Sequence, residues 1–234
     1  MIVSKDNKQF KLWKKLKTKK FRDLTKSFLV YGDHLIAQAK KHHTIIEMIT
    51  SNPDKEGILI DSELMLELNY TETPFDSIAV CKVSEDKIES SHILALDDVQ
   101  DPANMGALIR SASAFGYMHI LISNKSADVY NEKTIRASQG AIFDVTHERG
   151  NLVELIEKYK VLGYHVMAAD AHETKKSMIT LDKIVLVLGN EGAGISTEVK
   201  SLSDQLITIK TINVESLNVA VAGSILMYEY GGHK

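Results

Sequence analysis

The segment Ile184-Val185-Leu186-Val187-Leu188-Gly189-Asn190-Glu191-Gly192-Ala193-Gly194 joins five consecutive apolar residues to a glycine-rich turn. An apolar run without polar alternation reads as a strand buried on both faces, the situation of a parallel sheet covered by helices. Working outward, similar runs at 92–96, 119–122, 143–146, 165–169 and 206–209 alternate with helical patterns at 105–115, 131–138, 152–160, 196–202 and 216–230. This alternation predicts an α/β fold with a parallel sheet. In such sheets ligands sit beyond the carboxyl ends of the strands. The residues that follow the strands are therefore the ones to weigh for function.

The turn after Leu188 allows main-chain groups to approach a ligand, because glycine accepts positive φ and has no Cβ. It lacks the Lys-Ser/Thr of a Walker loop, and its G-x-x-G-x-G order is not the dinucleotide fingerprint. Glu191 would oppose a phosphate but suits a cationic ligand. The alternative is a tight connector between strand and helix.

Two further strand ends carry polar clusters. After Leu96 come Asp97, Asp98 and Asp101-Pro102-Ala103-Asn104-Met105-Gly106, with Arg110 six residues beyond Asn104. Asn104 is read as the cap of the next helix, and Arg110 lies roughly 120° round from it, able to face the same cleft; the alternative is a cap and a solvated arginine. Near the C-terminus, Ile209-Lys210-Thr211 leads to Ser216-Leu217-Asn218-Val219, with Ser216 expected to cap a helix of small residues, Ala220, Ala222, Gly223 and Ser224. Such a helix admits close approach of another backbone or a second subunit, or is a tightly packed core helix.

The polar stretch 84–91 reads as a linker. The boundary falls so that residues 1–88 form a small α/β or α+β domain and residues 89–234 the parallel-sheet domain. The first domain is expected to hold a basic helix over 8–20, strands at 28–30, 45–49, 58–60 and 77–83, a helix over 33–41 capped by Asp33, and a helix over 62–68.

The formal net charge of −3 hides an asymmetry. Residues 1–26 carry ten basic side chains against two acids, a local balance of +8, which leaves −11 on the other 208 residues. A basic leader of this kind is suited to phosphate, with a merely solvated helix as the alternative. Phe10 and Trp13 are candidates to stack on unpaired bases, although their helical spacing equally suits inward packing. A single cysteine, Cys81, excludes an internal disulfide and a multi-thiolate zinc site, and no metal is expected. No apolar run approaches the roughly 20 residues of a spanning helix. No membrane association is expected, and the cytoplasm is the expected location.

Taken in order, N-x-G-x-x-x-R (Asn104–Arg110), L-G-N-E-G-x-G (Leu188–Gly194) and S-L-N-V (Ser216–Val219) resemble the motifs of the SpoU (TrmH-type) RNA ribose 2′-O-methyltransferases of the SPOUT superfamily. The resemblance covers 91–229, and the preceding segment is similar to a substrate-binding domain of L30e-like fold, notably at Lys20-Phe21-Arg22-Asp23 and Phe28–Gly32. It implies S-adenosylmethionine as cofactor, methyl transfer to a ribose 2′-hydroxyl, a deep C-terminal trefoil knot and a homodimer formed through the catalytic domain. The RNA is expected to be ribosomal, since a separate N-terminal domain resembles those of ribosomal enzymes; transfer RNA, or an inactive RNA-binding relative, are the alternatives. A nucleotide-binding dehydrogenase-like domain is a rival from another class.

Carried over by motif, the catalytic group is Arg110, Asn104, Glu191, Ser216 and Asn218. Cofactor contacts are expected from Leu188, Gly189, Asn190, Gly192, Ile209, Ser216 and Leu217, and RNA contacts from Lys14, Lys15, Lys19, Lys20, Arg22 and Arg110. This chain departs from the family pattern in two places: Ile209-Lys210-Thr211 lacks the usual Pro and its loop is one residue shorter, so an ungapped match puts Thr208 at the position of Ile209. Tyr31 also replaces an acid before Gly32.

Overall fold

The computed structural model describes residues 1–70, 74–84, 88–170 and 182–231. Part of the expected linker, 85–87, lies outside the described residues. The first unit runs α1 (Lys8–Lys15), α2 (Lys19–Thr25), β1 (Ser27–Tyr31), α3 (Asp33–Lys41), β2 (Ile45–Thr50), β3 (Ile58–Leu59), α4 (Ser62–Leu68) and β4 (Ser77–Lys82). Its four strands order as β1-β4-β2-β3, antiparallel except for the β2–β3 pair.

The second unit runs β5 (His92–Leu96), α5 (Pro102–Ala114), β6 (His119–Ser123), α6 (Glu132–Ser138), β7 (Thr146–Gly150), α7 (Leu152–Val161), β8 (His165–Ala169), β9 (Ile184–Leu188), α8 (Thr197–Ser201), β10 (Gln205–Ile207) and α9 (Val219–Tyr230). Its six strands are all parallel in the order β10-β8-β9-β5-β6-β7. Side chains alternate across the sheet as strand geometry requires. Leu94, Leu96, Ile120, Leu186 and Leu188 face α5 and α9, while Ile93, Ala95, Leu121, Val185 and Val187 face α7 and α8.

Several boundaries differ from expectation, each for a local reason. The basic helix over 8–20 is two helices, because Thr18 is extended (φ −103°, ψ 138°) and the chain turns there. Phe10, Trp13 and Leu16 then pack inward on one side of the break. Gly32, at φ +82°, caps α3, and Asp33 sits in its first turn. Asp101 caps α5 by accepting from Ala103 and Asn104 N–H, so Asn104 is inside the helix. Asn218, not Ser216, caps α9. Residues 141–143 form a 3-10 turn, and the edge strand follows at Thr146–Gly150. Strand β10 stops at Ile207, which leaves Thr208 and Ile209 beyond the strand.

The two units share a continuous apolar cluster: Phe28 and Val30 of β1 pack with residues around α5 and α6. The Phe28 ring lies 4.4 Å from that of Tyr130. At Gly106 a Cβ would lie 2.4 Å from Thr134 O and 2.5 Å from Ala137 Cβ, so α5 and α6 approach as closely as they do only with glycine there.

Candidate active site at the carboxyl edge of the parallel sheet

A cleft of about 470 Å³ opens at the carboxyl ends of β8, β9 and β10. It is lined by Leu188, Gly189, Asn190, Gly192, Ile209, Ser216 and Leu217, the residues expected to touch cofactor, and also by Glu191 and Thr208. Its floor is tight. A Cβ on Gly189 would lie 2.3 Å from Gly194 C and 2.4 Å from Ile195 N, so the 189–195 loop folds back on itself only over glycine. Gly194 adopts φ +72°, and its N–H and C=O pair with those of Asn190 at 3.0 and 2.9 Å.

Asn190 works mainly on the loop. Its Oδ1 accepts from Gly192 and Ala193 N–H, and its Nδ2 donates to Asp98 O at 2.9 Å. Asp97, which the motif reading quoted without a role, accepts Ser196 N–H at 2.8 Å. The ends of β5 and β9 are thereby laced together. The signal in the sequence was the position of Asp97 directly after a strand.

One polar residue from each of the three motifs joins a single chain. Asn218 Nδ2 donates to Asn104 Oδ1 at 3.1 Å, and Asn104 Nδ2 donates to Glu191 Oε1 at 2.8 Å. Asn104 and Asn218 do not line the cleft and reach it through Glu191. Arg110 also stands outside the lining; it is exposed and has no hydrogen bond or ion pair among the described residues. Its neighbour Ser111 meets Ser224 Oγ at 2.7 Å, which holds α5 against α9. Gly223 completes that packing, since a Cβ there would lie 2.5 Å from Leu108 and from Leu188. Ser216 is exposed beside the cleft. Asp170 and Lys200, absent from the motif reading, pair across the cleft wall.

The leader is less free than its charge suggested. Lys5 and Lys14 pair with Glu67, Lys11 with Asp6, and Lys17 donates to Glu67 O and Asn69 O at 3.0 Å. Lys15 lies over the Phe21 ring at 4.9 Å. Lys19 and Lys20 are exposed. Arg22 corrects the surface expectation: it is 7% exposed, donates to Leu16 O and pairs with Asp128 of the second unit. A guanidinium so held acts first as an interdomain tie. Phe10 and Trp13 are buried, and Trp13 Nε1 donates to Glu47 at 2.8 Å, so neither presents a ring to a base. Tyr31 is buried with its hydroxyl on Leu68 O. Burial pushes the Cys81 thiol up to about 12, which leaves it inert. No metal-holding cluster occurs among the described residues.

A parallel sheet with a glycine-rich cleft at its carboxyl edge, beside a separate small domain, is the arrangement in which α/β proteins bind ligands. The profile of the SpoU rRNA Methylase family matches residues 91–228, and that of the MRM3-like substrate binding domain matches 7–90. The chain belongs to the SpoU rRNA methylase family. It is 34% identical to the 23S rRNA (guanosine(2553)-2'-O)-methyltransferase RlmP of Bacillus subtilis, over 99% of each chain. Among solved structures it resembles the SpoU methyltransferase AviRb of Streptomyces viridochromogenes in complex with AdoMet (TM-score 0.83, 25% identity, 95% of this chain and 96% of that one). It also resembles an AdoMet-bound rRNA methyltransferase from Sinorhizobium meliloti (TM-score 0.82, 25% identity, 97% and 95% covered).

Proposed function

We propose that this protein is an S-adenosylmethionine-dependent methyltransferase that methylates a ribose 2′-hydroxyl of ribosomal RNA. The observation that carries the reading is the hydrogen-bonded chain Asn218–Asn104–Glu191, which unites three motifs 87 and 114 residues apart at the rim of one cleft. The cofactor fits that cleft. Main chain at Gly189 stands beside apolar Leu188, Ile209 and Leu217, and Glu191 lies where a sulfonium would be favoured. S-adenosylmethionine, when bound, supplies an activated methyl group on a sulfonium.

The protein's own residues then have to orient the 2′-oxygen and stabilise the charge it develops. Arg110 stays protonated and is a poor base. In this reading its exposed guanidinium grips the neighbouring phosphate and stabilises the developing alkoxide. The proton leaves through that phosphate or water. Asn104, bonded on both sides, ties the start of α5, the helix that carries Arg110, to the cleft rim, and Ser216 closes the cleft edge. Residues 1–88 hold the RNA, with Lys14, Lys15, Lys19 and Lys20 as phosphate contacts, while 89–234 perform the transfer.

Four finer readings accompany this one. The chain leaves edge strand β10 and returns to the middle of the sheet, where Gly223 of α9 packs between Leu108 and Leu188; this path supports the trefoil knot. Val221, Ile225 and Tyr228 leave an apolar stripe at i, i+4 and i+7 exposed on α9, which supports a homodimer built on that helix. The mixed four-stranded sheet with its helices supports the L30e-like reading of the first domain, and the protein works where its RNA is, in the cytoplasm.

The test is transfer of labelled methyl from S-adenosylmethionine to an unmodified large-subunit ribosomal RNA transcript, followed by mapping of 2′-O-methyl positions. A single labelled ribose is the expected result. Label in transfer RNA instead, or none beside intact cofactor binding, would overturn the ribosomal reading or the catalytic one respectively.

A further inference from the structure

A second cavity, of about 210 Å³, lies where the two units meet and has no part in the cofactor cleft. Four cations line it: Lys19, Arg22 and Lys26 from the first unit and Arg149 from the second. Two carboxylates, Asp23 and Asp128, face them, so the cavity keeps an excess of positive charge. The groups differ in how far the fold has used them. Arg149 is turned to the protein, donating to Ser123 O and Ser126 O at 2.8 Å and to Ala127 O. Arg22 is paired with Asp128, yet its buried Nε has no partner among the described residues. Lys19 and Lys26 are exposed, and their ammonium groups carry no hydrogen bond or ion pair among the described residues.

The local field is legible in a neighbouring residue. His147, which also lines the cavity and stands edge-on to the Tyr130 ring at 5.4 Å, is pushed down to about 4, first by burial and then by Arg149 and His119, with Asp128 opposing and Lys26 adding a smaller push.

Position gives the cavity a purpose. Asp128–Tyr130 follow the carboxyl end of β6 and Arg149 stands near that of β7, the same edge of the sheet that carries Asn104 and Glu191. The two places are physically coupled. Ser123 Oγ accepts Asp98 N–H, Ser126 Oγ accepts Val99 N–H, and Arg149 holds the carbonyls of both serines. One rigid loop system therefore carries both the first motif and the cavity wall.

We propose that this interdomain cavity seats a backbone phosphate of the RNA substrate, held at its rim by Lys19 and Lys26 over the buried positive field of Arg22 and Arg149. RNA would then run across the junction of the two domains and along the carboxyl edge to the methyl-transfer cleft. The inference rests on RNA being the substrate. It adds a contact that requires both domains at once, so their relative placement sets the register of the ribose to be methylated.

The test compares the full-length protein with the double variant Lys19→Ser/Lys26→Asn, with Asp23→Asn, and with Lys8→Ser as a control for loss of any leader cation. Asn is chosen at position 26 because that residue sits at φ +50°, a conformation it tolerates. Binding of an unmodified large-subunit ribosomal RNA transcript is followed against salt, with S-adenosylmethionine affinity measured in parallel. The double variant is expected to lose about tenfold in RNA affinity and to flatten the salt slope by about 0.7–0.9, the share of the one phosphate that the two lysines hold. Asp23→Asn is expected to tighten binding, and cofactor affinity stays unchanged in all of them. Wild-type RNA binding that the double variant and Asp23→Asn leave untouched would overturn the cavity while sparing the proposed activity. Wild-type protein that binds cofactor but no RNA would overturn both.

Discussion

Two regions of this molecule are rich in polar side chains, and they use them in opposite ways. At the carboxyl edge of the six-stranded sheet, Asn104, Glu191 and Asn218 are bonded to one another in a half-open position where water could have served them equally well. In the basic leader four of the ten cations are bonded to the rest of the fold: Lys17 to two carbonyls, Lys5 and Lys14 to Glu67, and Arg22 across the domain boundary. Polar groups that hold each other at a solvent-facing rim preorganise a site. Polar groups that hold main chain and the carboxylates of distant elements stabilise an architecture. Residue type and charge alone do not separate the two.

The sharpest way to break this contrast is at Arg110, an exposed cation of α5 whose guanidinium has no partner among the described residues. Arg110→Ala is expected to lower single-turnover methylation by about 10²–10³-fold, as loss of a group stabilising developing charge does. Cofactor affinity by calorimetry should stay within about twofold. An equal fall in affinity would reassign Arg110 to the cofactor cleft or to folding.

The next largest effect is expected at the cradle. In Gly189→Ala the new Cβ meets backbone that cannot swing aside, 2.3 Å from Gly194 C. S-adenosylmethionine affinity is expected to fall at least about tenfold, with a stability loss of about 1–3 kcal/mol typical of overpacking. Gly192→Ala is the control, because its Cβ would meet only Asn190 Oδ1 at 3.6 Å. Cofactor titrations in which both variants behave alike would remove the glycine argument.

The junction between the regions gives a smaller, pH-dependent effect. His147 is held down to about 4 in the folded protein, below the ordinary histidine value of 6.5, chiefly by burial. On acidification the unfolded chain takes up the proton first, so this contribution is fully present above about pH 6.5 and is lost as pH falls toward 4. The loss is on the order of 1–2 kcal/mol. Denaturant unfolding at pH 7.5 and 5.0 measures it, and His147→Gln should flatten the difference. A wild-type difference that the variant keeps in full would assign the acid sensitivity to other groups.

How much of this was legible in the sequence follows the same division. The parallel sheet could be read because β5 and β9 are unbroken apolar runs, buried throughout. The motif residues could be read as a set, since Asn104, Glu191 and Asn218 all follow strands. Their mutual bonding could not, because it depends on Asn218 capping α9 and on Asp101, rather than Asn104, capping α5. Spacing treats Ser216 and Asn218, or Asp101 and Asn104, as equal candidates, and only the path of the preceding loop selects one. The leader misled for a different reason. Its charge was visible, but Glu67, Glu47 and Asp128, the acids that engage Lys14, Trp13 and Arg22, lie 34 to 106 residues away.

That distance leaves the smallest effect, and one that cuts directly at the contrast between the regions. Lys14 and Lys5 hold the Glu67 carboxyl well below its usual range, at about 2, so at neutral pH it is fully charged and occupies both ammonium groups. Because the pairs are exposed, solvent and salt already screen them, and the fold should scarcely register their loss. RNA binding should register it. Glu67→Gln leaves two cations on the leader with no carboxylate to share, while Lys17 keeps its two main-chain acceptors. A gain of about threefold in RNA affinity and a steeper salt slope are expected from the added phosphate contacts. An unchanged slope with unchanged affinity would mean that Lys5 and Lys14 serve the fold alone, and the electrostatic grip on RNA would then fall to Lys19, Lys20 and Lys26, close to the domain junction rather than on the first helix.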